Sequence, residues 1–139
     1  MPQWMEAFYE PAHLVGRVLF SLIFIMSGVN HLIRTDAMAG YAASKGVPAA
    51  KAATMLTGLM ILVGGVLVLL GWHRFIGAGL LAIFILPTAF VMHGFWRETD
   101  PGARASEQAH FMKDLALGGA ALLIAYYAGS PWPFALGAP

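Results

Sequence analysis

Cysteine is absent from this 139-residue sequence, and charged residues are scarce. The absence of cysteine excludes disulfide bonds, thiol catalysis, cysteine-ligated iron–sulfur clusters and covalently attached c-type haem. Charged residues make up 11% of the chain and hydrophobic residues 59%, whereas a soluble domain usually carries about 25% charged residues. A chain with so little polar surface cannot cover itself in water, so the composition predicts a membrane protein.

An excess of charge of one sign is also missing. The formal net charge is +1, and the sequence contains neither a run of basic residues nor basic residues interleaved with aromatic ones. Nucleic-acid-binding chains carry such features. The sequence therefore gives no indication of a nucleic-acid partner.

Four apolar runs are long enough to cross a membrane as helices. Residues 18–33, 52–72, 75–96 and 115–139 contain no charged residue, and roughly 20 apolar residues span a hydrocarbon core about 30 Å thick. A membrane β-barrel would instead show short segments of alternating polarity. We predict an all-α integral membrane four-helix bundle, a single domain over residues 1–139 with helices at about 12–33, 48–71, 75–96 and 106–128.

Local signals suggest where these helices begin. Pro11 and Pro48 stand at the heads of the first two runs, and proline is favoured in a first helical turn. Ser106 is a suitable cap for the fourth helix. Glu6 and Glu10 precede the first apolar run in place of the basic leader of a signal peptide, so we expect this run to be a retained helix.

A short helix is predicted between the first and second spanning helices. The segment from Thr35 to Ser44 opens near Asp36, a good capping residue, and is closed by Gly46. Its length is too small for a membrane span. We expect it to lie at the membrane interface, in the lipid bilayer's headgroup region, with Tyr41 as an anchor.

The distribution of lysine and arginine predicts the orientation. Two basic residues fall on the side of the termini, Arg17 and Arg74. Six fall in or near the two longer loops: Arg34, Lys45, Lys51, Arg97, Arg104 and Lys113. Positive charge accumulates in cytoplasmic loops, so the longer loops should face the cytoplasm, the termini should lie outside, and the chain should reside in a bacterial inner membrane.

Glycines on the predicted helices offer flat surfaces for close helix contact. They are Gly58, Gly64, Gly65, Gly77, Gly79, Gly118 and Gly119. These faces could pack within the bundle or against another molecule. We therefore expect either a protein partner or a homo-oligomer.

Polar side chains collect at one membrane face, where the first and third helices end and the fourth begins. The candidate ligand-binding cluster consists of Asn30, His31, His93, Trp96, His110, Phe111, Lys113 and Asp114. Ionisable groups in spanning segments are costly and are candidates for function. No complete catalytic constellation can be placed on the sequence, so the chain is at most an oxidoreductase-associated subunit and no residue is assigned as catalytic.

Several interpretations of this cluster stay open. The side chains could simply reach the headgroup region from helix ends. They could instead form a pocket, closed by Trp96 and Phe111, that holds a polar ring such as a quinone. A metal bound by His31, His93 and His110 is less favoured, because no local histidine spacing supports it. A haem is less favoured as well, because it needs two histidines on facing helices at matching depth and only His31 with His93 could qualify.

The order of four segments resembles the DoxX family of small four-helix bacterial inner-membrane proteins. They read "GRVLFSLIFIMSGVNHL", "YAASKGVPAAKAATMLTGLMILVGGVLVLLGW", "FVMHGFW" and "HFMKDLALGGAALLIA". The resemblance extends from about residue 15 to residue 128. Its most distinctive pieces are "KGVP" before the second helix and "FMKDLAL" at the opening of the fourth.

The resemblance implies an association with oxidoreductase systems. One branch of the family resembles the membrane subunit of a thiosulfate:quinone oxidoreductase, and another acts as a membrane anchor beside soluble detoxification enzymes. The family pattern marks Arg17, Gly28, His31, Gly64, Gly65, Phe111 and Lys113. Many relatives have lysine in place of His31 and an acidic residue in place of Ile61, so an ion pair between those positions is absent here.

Two functions follow as hypotheses. In the first, the protein is an accessory subunit of a membrane redox system that binds a quinone-like, lipid-soluble molecule at the polar cluster. In the second, it is a non-catalytic structural or anchoring subunit of a larger membrane complex. The sequence names neither the ligand nor the partner.

Overall fold

The computed structural model describes residues 2–137, apart from the side chain of Glu6, and these residues form helices and no strand. The α-helices are α1 (Gln3–Ile33), α2 (Thr35–Ser44), α3 (Ala50–Leu70), α4 (Arg74–Met92) and α5 (Pro101–Tyr126). Two 3₁₀ turns follow α4 and α5, at Phe95–Arg97 and Tyr127–Gly129. Four helices, α1, α3, α4 and α5, are long and apolar enough to cross a membrane. The predicted four-helix membrane fold is confirmed.

Two helices begin earlier than predicted. Helix α1 begins at Gln3, so that Pro11 lies inside it, although an internal proline removes one backbone hydrogen bond. Helix α5 begins at Pro101, because the carboxylate of Asp100 accepts a hydrogen bond from the Ala103 amide at 2.8 Å. An aspartate cap followed by proline is a stronger start than the predicted Ser106.

The other boundaries differ by a few residues. Helix α4 ends at Met92 rather than at residue 96, and the exposed Arg97 donates to the carbonyls of Phe90 and Val91 at 2.9 and 2.8 Å. Helix α2 has the predicted span, but Asp36 lies in its first turn and does not cap it. Helix α3 begins at Ala50 and is closed by Gly71 in the left-handed conformation that glycine favours.

The helices pack in chain order, α1 on α3, α3 on α4 and α4 on α5, with α2 against α3. Glycines allow the close approach. A Cβ atom on Gly58 would lie 2.5 Å from the Cβ of His31, and one on Gly64 would lie 3.0 Å from the Gly77 carbonyl oxygen. The apolar core lies between the four helices and includes Phe24, Ile61, Val68, Leu81, Ile85 and Ala121.

The glycines predicted to face other helices divide into two groups. Five of them are buried inside the bundle: Gly58, Gly64, Gly65, Gly77 and Gly118. A Cβ atom on Gly79 or Gly119 would have no neighbour within 4 Å, so these two glycines face outward. The glycine content therefore mainly serves the packing of the bundle itself.

Candidate functional site

A cavity of about 540 Å³ opens at the end of the bundle where α5 begins. All five helices contribute to it. The apolar part of its wall includes Ile23, Phe24, Met38, Val47, Phe84, Ile85, Val91 and Leu117, and the polar part includes Ser27, His31, Tyr41, Thr54, Thr57, Thr88, His93, Lys113 and Asp114. We call the entrance around His31, His93, Lys113 and Asp114 the polar mouth.

His31 is fixed in one orientation by its own helix. Its Nδ1 lies 2.7 Å from the carbonyl oxygen of Ser27, one turn earlier. A carbonyl can only accept, so Nδ1 carries the proton and donates. The ring packs edge-on against Phe84 with the centroids 6.0 Å apart. In the neutral ring, Nε2 is then an acceptor for a ligand in the cavity.

His93 lies between two carboxylates of α5. Its Nδ1 is 2.7 Å from Oε2 of Glu107, and its Nε2 is 3.7 Å from Oδ2 of Asp114. The two acidic residues are seven positions apart, which is two helical turns, so both face α4. His110 stacks on the His93 ring at a centroid distance of 5.0 Å. The imidazole thus bridges an outer carboxylate and an inner one.

Asp114 is the inner carboxylate, and only 2% of it is exposed. The Nζ of Lys113 lies 3.4 Å from its Oδ1 and 3.5 Å from Nδ1 of His110. A buried carboxylate is stable only beside positive charge or hydrogen-bond donors. The ammonium of Lys113 supplies positive charge at the polar mouth, although Oδ1 of Asp114 accepts no hydrogen bond from the described residues.

A second charged group borders the polar mouth on its outer side. The Nζ of Lys45 lies 3.4 Å from Oε1 of Glu98 and 3.5 Å from Oε1 of Glu107. The Tyr41 hydroxyl donates to the same Glu107 oxygen at 3.4 Å. Burial, together with the nearby negative charge of Glu107, raises the pKa of Tyr41.

The pKa of Lys45 reflects opposing effects. Burial lowers it, but the attraction of Tyr41, Glu107 and Glu98 outweighs burial, so the pKa lies above its ordinary value. Lys45 is therefore a stable positive charge at physiological pH.

The sequence analysis did not identify four of these residues as site residues: Tyr41, Lys45, Glu98 and Glu107. The seven-residue spacing of Glu107 and Asp114 was the one local signal that could have found any of them.

Four predicted site residues lie apart from the cavity wall: Asn30, Trp96, His110 and Phe111. Asn30 is exposed on α1. Trp96 and Phe111 pack against each other with ring centroids 5.5 Å apart, in an aromatic cluster with Phe90 and Phe95. They do not line the cavity, because α4 ends at Met92 and the 3₁₀ turn after it packs Trp96 against Phe90 and Phe111 instead. The predicted closure of the pocket by Trp96 and Phe111 is therefore wrong; Phe24, Phe84 and Tyr41 supply its aromatic wall.

The three histidines of the predicted cluster do not converge on one point. His31 is bonded to its own helix, while His93 and His110 stack face to face. Among residues 2–137, no group of three or more histidine, aspartate or glutamate side chains has the arrangement of a metal site. A ligand at this site would meet hydrogen-bonding groups on different sides rather than a common coordination centre.

The fold and the cavity define a small multi-pass membrane protein built as a four-helix bundle. The model of the DoxX family matches residues 12–94. The chain is 30% identical over 112 residues to "Inner membrane protein YphA" of Escherichia coli (strain K12), a stretch that covers 81% of this chain and 79% of that protein. No solved structure matches the chain significantly.

The chain therefore belongs to the DoxX family, and it is a multi-pass protein of the bacterial inner membrane, embedded in the lipid bilayer. The family match ends at residue 94. Helix α5, which carries Glu107, Lys113 and Asp114, lies beyond that match. The polar mouth is thus built partly from residues within the matched region and partly from residues outside it.

Proposed function

We propose that the cavity binds a lipid-soluble molecule with a polar ring, of the quinone class, and that the protein is an accessory subunit of a membrane redox system. The cavity itself supports this proposal most directly. Its volume, about 540 Å³, lies within the roughly 300–1,000 Å³ of small-molecule sites. Its wall is mainly apolar, with ionisable groups concentrated at the polar mouth.

The arrangement suits a molecule with an apolar tail and a carbonyl-bearing head. An apolar chain gains free energy from contact with Ile23, Phe24 and Leu117 in the cavity wall. A ring carbonyl accepts hydrogen bonds, and Lys113 at the entrance is a donor. His31 supplies an acceptor through Nε2, which a hydroxyl of the reduced ring would meet.

The pair of carboxylates around His93 supports a role in proton supply. Reduction of a quinone to a quinol takes two electrons and two protons; a redox partner protein would supply the electrons. Protons would pass from the outer Glu107 to His93 and on to the inner Asp114, since the ring nitrogens of His93 face one carboxylate each. A histidine suits this step because its two nitrogens bind and release protons near neutral pH.

A cavity-filling substitution tests the proposal without touching the polar mouth. Ala53 lines the cavity and the adjacent Ala52 is exposed and does not, so Ala53→Phe and Ala52→Phe form a matched pair. Titration with a short-chain benzoquinone in detergent should give at least tenfold weaker binding for Ala53→Phe and unchanged binding for Ala52→Phe. Equal affinities in both variants and the wild-type protein would exclude the cavity as the binding site.

The second candidate function, a structural or anchoring subunit, is favoured by two outward-facing glycines. Gly79 on α4 and Gly119 on α5 have open space where a side chain would be, and such surfaces allow close contact with a partner helix. A stoichiometric protein partner after gentle extraction, together with an empty cavity, would favour this function.

For both candidate functions, the distribution of lysine and arginine predicts that the polar mouth faces the cytoplasm.

A further inference from the structure

At the end of the bundle opposite the polar mouth, two arginines are buried. Arg17 on α1 is 5% exposed and Arg74 at the start of α4 is 3% exposed. Their guanidinium carbons lie 5.8 and 5.0 Å from the ring centroid of Trp132. Two positive charges are thus withdrawn from water beside one indole ring.

The acceptors that these arginines have are neutral. Arg17 donates to the carbonyl of Phe134 at 3.1 Å, and Arg74 donates to the carbonyls of Ser130 and Gly137 at 2.7 and 2.9 Å. No described carboxylate lies within 4 Å of either guanidinium. Withdrawing an ion from water costs several kcal/mol unless an opposite charge compensates it, and these carbonyls supply hydrogen bonds without a full negative charge.

Helix α1 carries further buried polar atoms without a hydrogen-bond partner at this end. Five buried side-chain nitrogens or oxygens lack a hydrogen-bond partner in the described part of the chain, and four of them belong to His13, Arg17 and Ser21. These three residues are four positions apart, so they lie on one face of α1 in successive turns. Native proteins rarely leave such groups unpaired, and an unpaired group often marks a bound water or ion.

The start of α4 adds to the positive charge. No acidic residue lies in its first turn, and its N-cap, His73, makes no capping hydrogen bond. The N-terminus of a helix carries a partial positive charge that attracts anions. Arg74 is the first residue of this helix, so the dipole reinforces the charge of the two guanidinium groups instead of offsetting it.

We propose that Arg17 and Arg74 form a binding site for an oxyanion, namely a phosphate or phosphodiester group. Arginine is suited to this chemistry because its planar group donates several hydrogen bonds to the oxygens of phosphate. A lipid headgroup or a free phosphate ion carries the same group. The site is independent of the cavity at the polar mouth, which is at the opposite end of the bundle.

The C-terminal segment, residues 130–137, covers this site and lends it three carbonyl oxygens. Phe134, whose carbonyl accepts from Arg17, has a φ of 53°, a conformation that is unfavourable for a bulky side chain. An oxyanion would replace these carbonyls on the guanidinium groups, and the segment would relax from that conformation. The segment is thus a displaceable cover over the anion site.

Thermal unfolding of the delipidated protein in a neutral detergent tests the site with inorganic phosphate as the probe, with chloride holding the ionic strength constant. Phosphate should raise the unfolding temperature in a saturable manner. The half-saturating concentration should be at least tenfold higher for Arg74→Gln and changed less than twofold for Arg97→Gln, an exposed arginine that also donates to two carbonyls.

Native mass spectrometry with phosphatidylglycerol and with a phosphate-free glycolipid distinguishes the source of the anion. Saturable stabilisation by phosphate identifies a free oxyanion site, and retention of phosphatidylglycerol without a phosphate effect identifies a headgroup site. If Arg74→Gln does not fold, Arg17→Lys replaces it, since it keeps the charge but removes the planar group. If neither phosphate nor phosphatidylglycerol binds the wild-type protein, or if both bind equally well to the variants, the proposal is overturned.

Discussion

At the polar mouth, the polar atoms of His93 and Lys113 lie 2.7–3.7 Å from the carboxylates of Glu107 and Asp114, beside an open cavity. At the opposite end, Arg17 and Arg74 lie under the C-terminal segment with carbonyl oxygens as their described partners. At the first end the charged groups have partners of opposite sign, and at the other the described partners of the two arginines are neutral carbonyls. We propose that the first end receives a molecule that exchanges hydrogen bonds and protons, and that the second receives an anion.

The difference shows how a small bundle can hold ionisable groups in a membrane. Charges in an apolar environment are retained where they have partners or a function. Asp114 has a partner of opposite charge, the Lys113 ammonium 3.4 Å away, although its Oδ1 accepts no hydrogen bond from the described residues. The two arginines have no partner of opposite charge among the described residues, and the following substitutions test this difference between the two ends.

The largest expected effect is at the arginine end. Arg74→Ala should lower the free energy of unfolding by about 3 kcal/mol, because two charge-assisted hydrogen bonds from a buried guanidinium group are lost. Arg97→Ala is the control: Arg97 also donates to two carbonyls but is exposed, so its loss should be about 1 kcal/mol or less. Thermal unfolding followed by tryptophan fluorescence measures both. Equal losses would mean that burial of Arg74 adds nothing to its contribution.

A substitution between α1 and α3, directly beside His31, should have the next largest effect. A Cβ on Gly58 would lie 2.5 Å from the Cβ of His31, so Gly58→Ala forces α1 and α3 apart and should destabilise the bundle by about 2 kcal/mol. Gly119→Ala introduces the same methyl group into open space and should stabilise its helix by up to about 1 kcal/mol. Unfolding measurements that give both variants the same sign would contradict the packing described for α1 and α3.

Substitution of His93 tests whether the two ends of the bundle differ in their effect on quinone binding. His93→Ala should weaken binding of a short-chain benzoquinone about tenfold, a change of about 1.4 kcal/mol, because the link between Glu107 and Asp114 is lost. His73→Ala, at the arginine end, should leave the affinity unchanged. A titration monitored by fluorescence quenching gives both values, and an unaltered affinity in His93→Ala would remove His93 from the proposed site.

The smallest effect concerns Lys45 on the outer side of the polar mouth. Its folded-state pKa is raised above the ordinary 10.5, so its contribution to stability is complete below pH 10.5 and is lost as the pH rises through the folded-state value. Lys45→Gln should therefore cost about 0.5–1 kcal/mol at neutral pH and less at strongly alkaline pH. Denaturation across this pH range tests the sign; a cost that grows with pH would contradict it.

The matched control for Lys45→Gln is Lys51→Gln. Lys51 lies 2.8 Å from Asp36, but both side chains are mostly exposed, at 67% and 85%. An exposed ion pair contributes about 0–1 kcal/mol, so this variant should show the lesser loss. A larger loss for Lys51→Gln would mean that burial is not what distinguishes the two lysines.

The sequence was informative wherever composition alone decides the structure. Charge-free runs identified all four spanning helices, and glycine at position 71 marked the end of α3. The concentration of His31, His93, Lys113 and Asp114 at one end followed from counting helices, because antiparallel spans bring those residues to the same face. These four residues all line the cavity.

The features that escaped prediction depend on how the chain folds between the spans. Glu107 already lay inside the predicted fourth helix, but Lys45 reaches it only because α2 packs against α3. Trp96 does not line the cavity, because α4 ends at Met92 and not at the predicted residue 96. The approach of Arg17 and Arg74 requires the C-terminal segment, which no periodicity or motif in the sequence describes.

The most direct test of the proposed cavity function is native mass spectrometry of the wild-type protein and the Ala53→Phe variant, both extracted from bacterial membranes in a gentle detergent. The proposal predicts a bound mass that matches a quinone on the wild-type protein and its absence from Ala53→Phe, with Ala52→Phe behaving as wild type. A wild-type protein that carries no such molecule, or an Ala53→Phe variant that keeps it, would contradict the assignment of the cavity as a binding site.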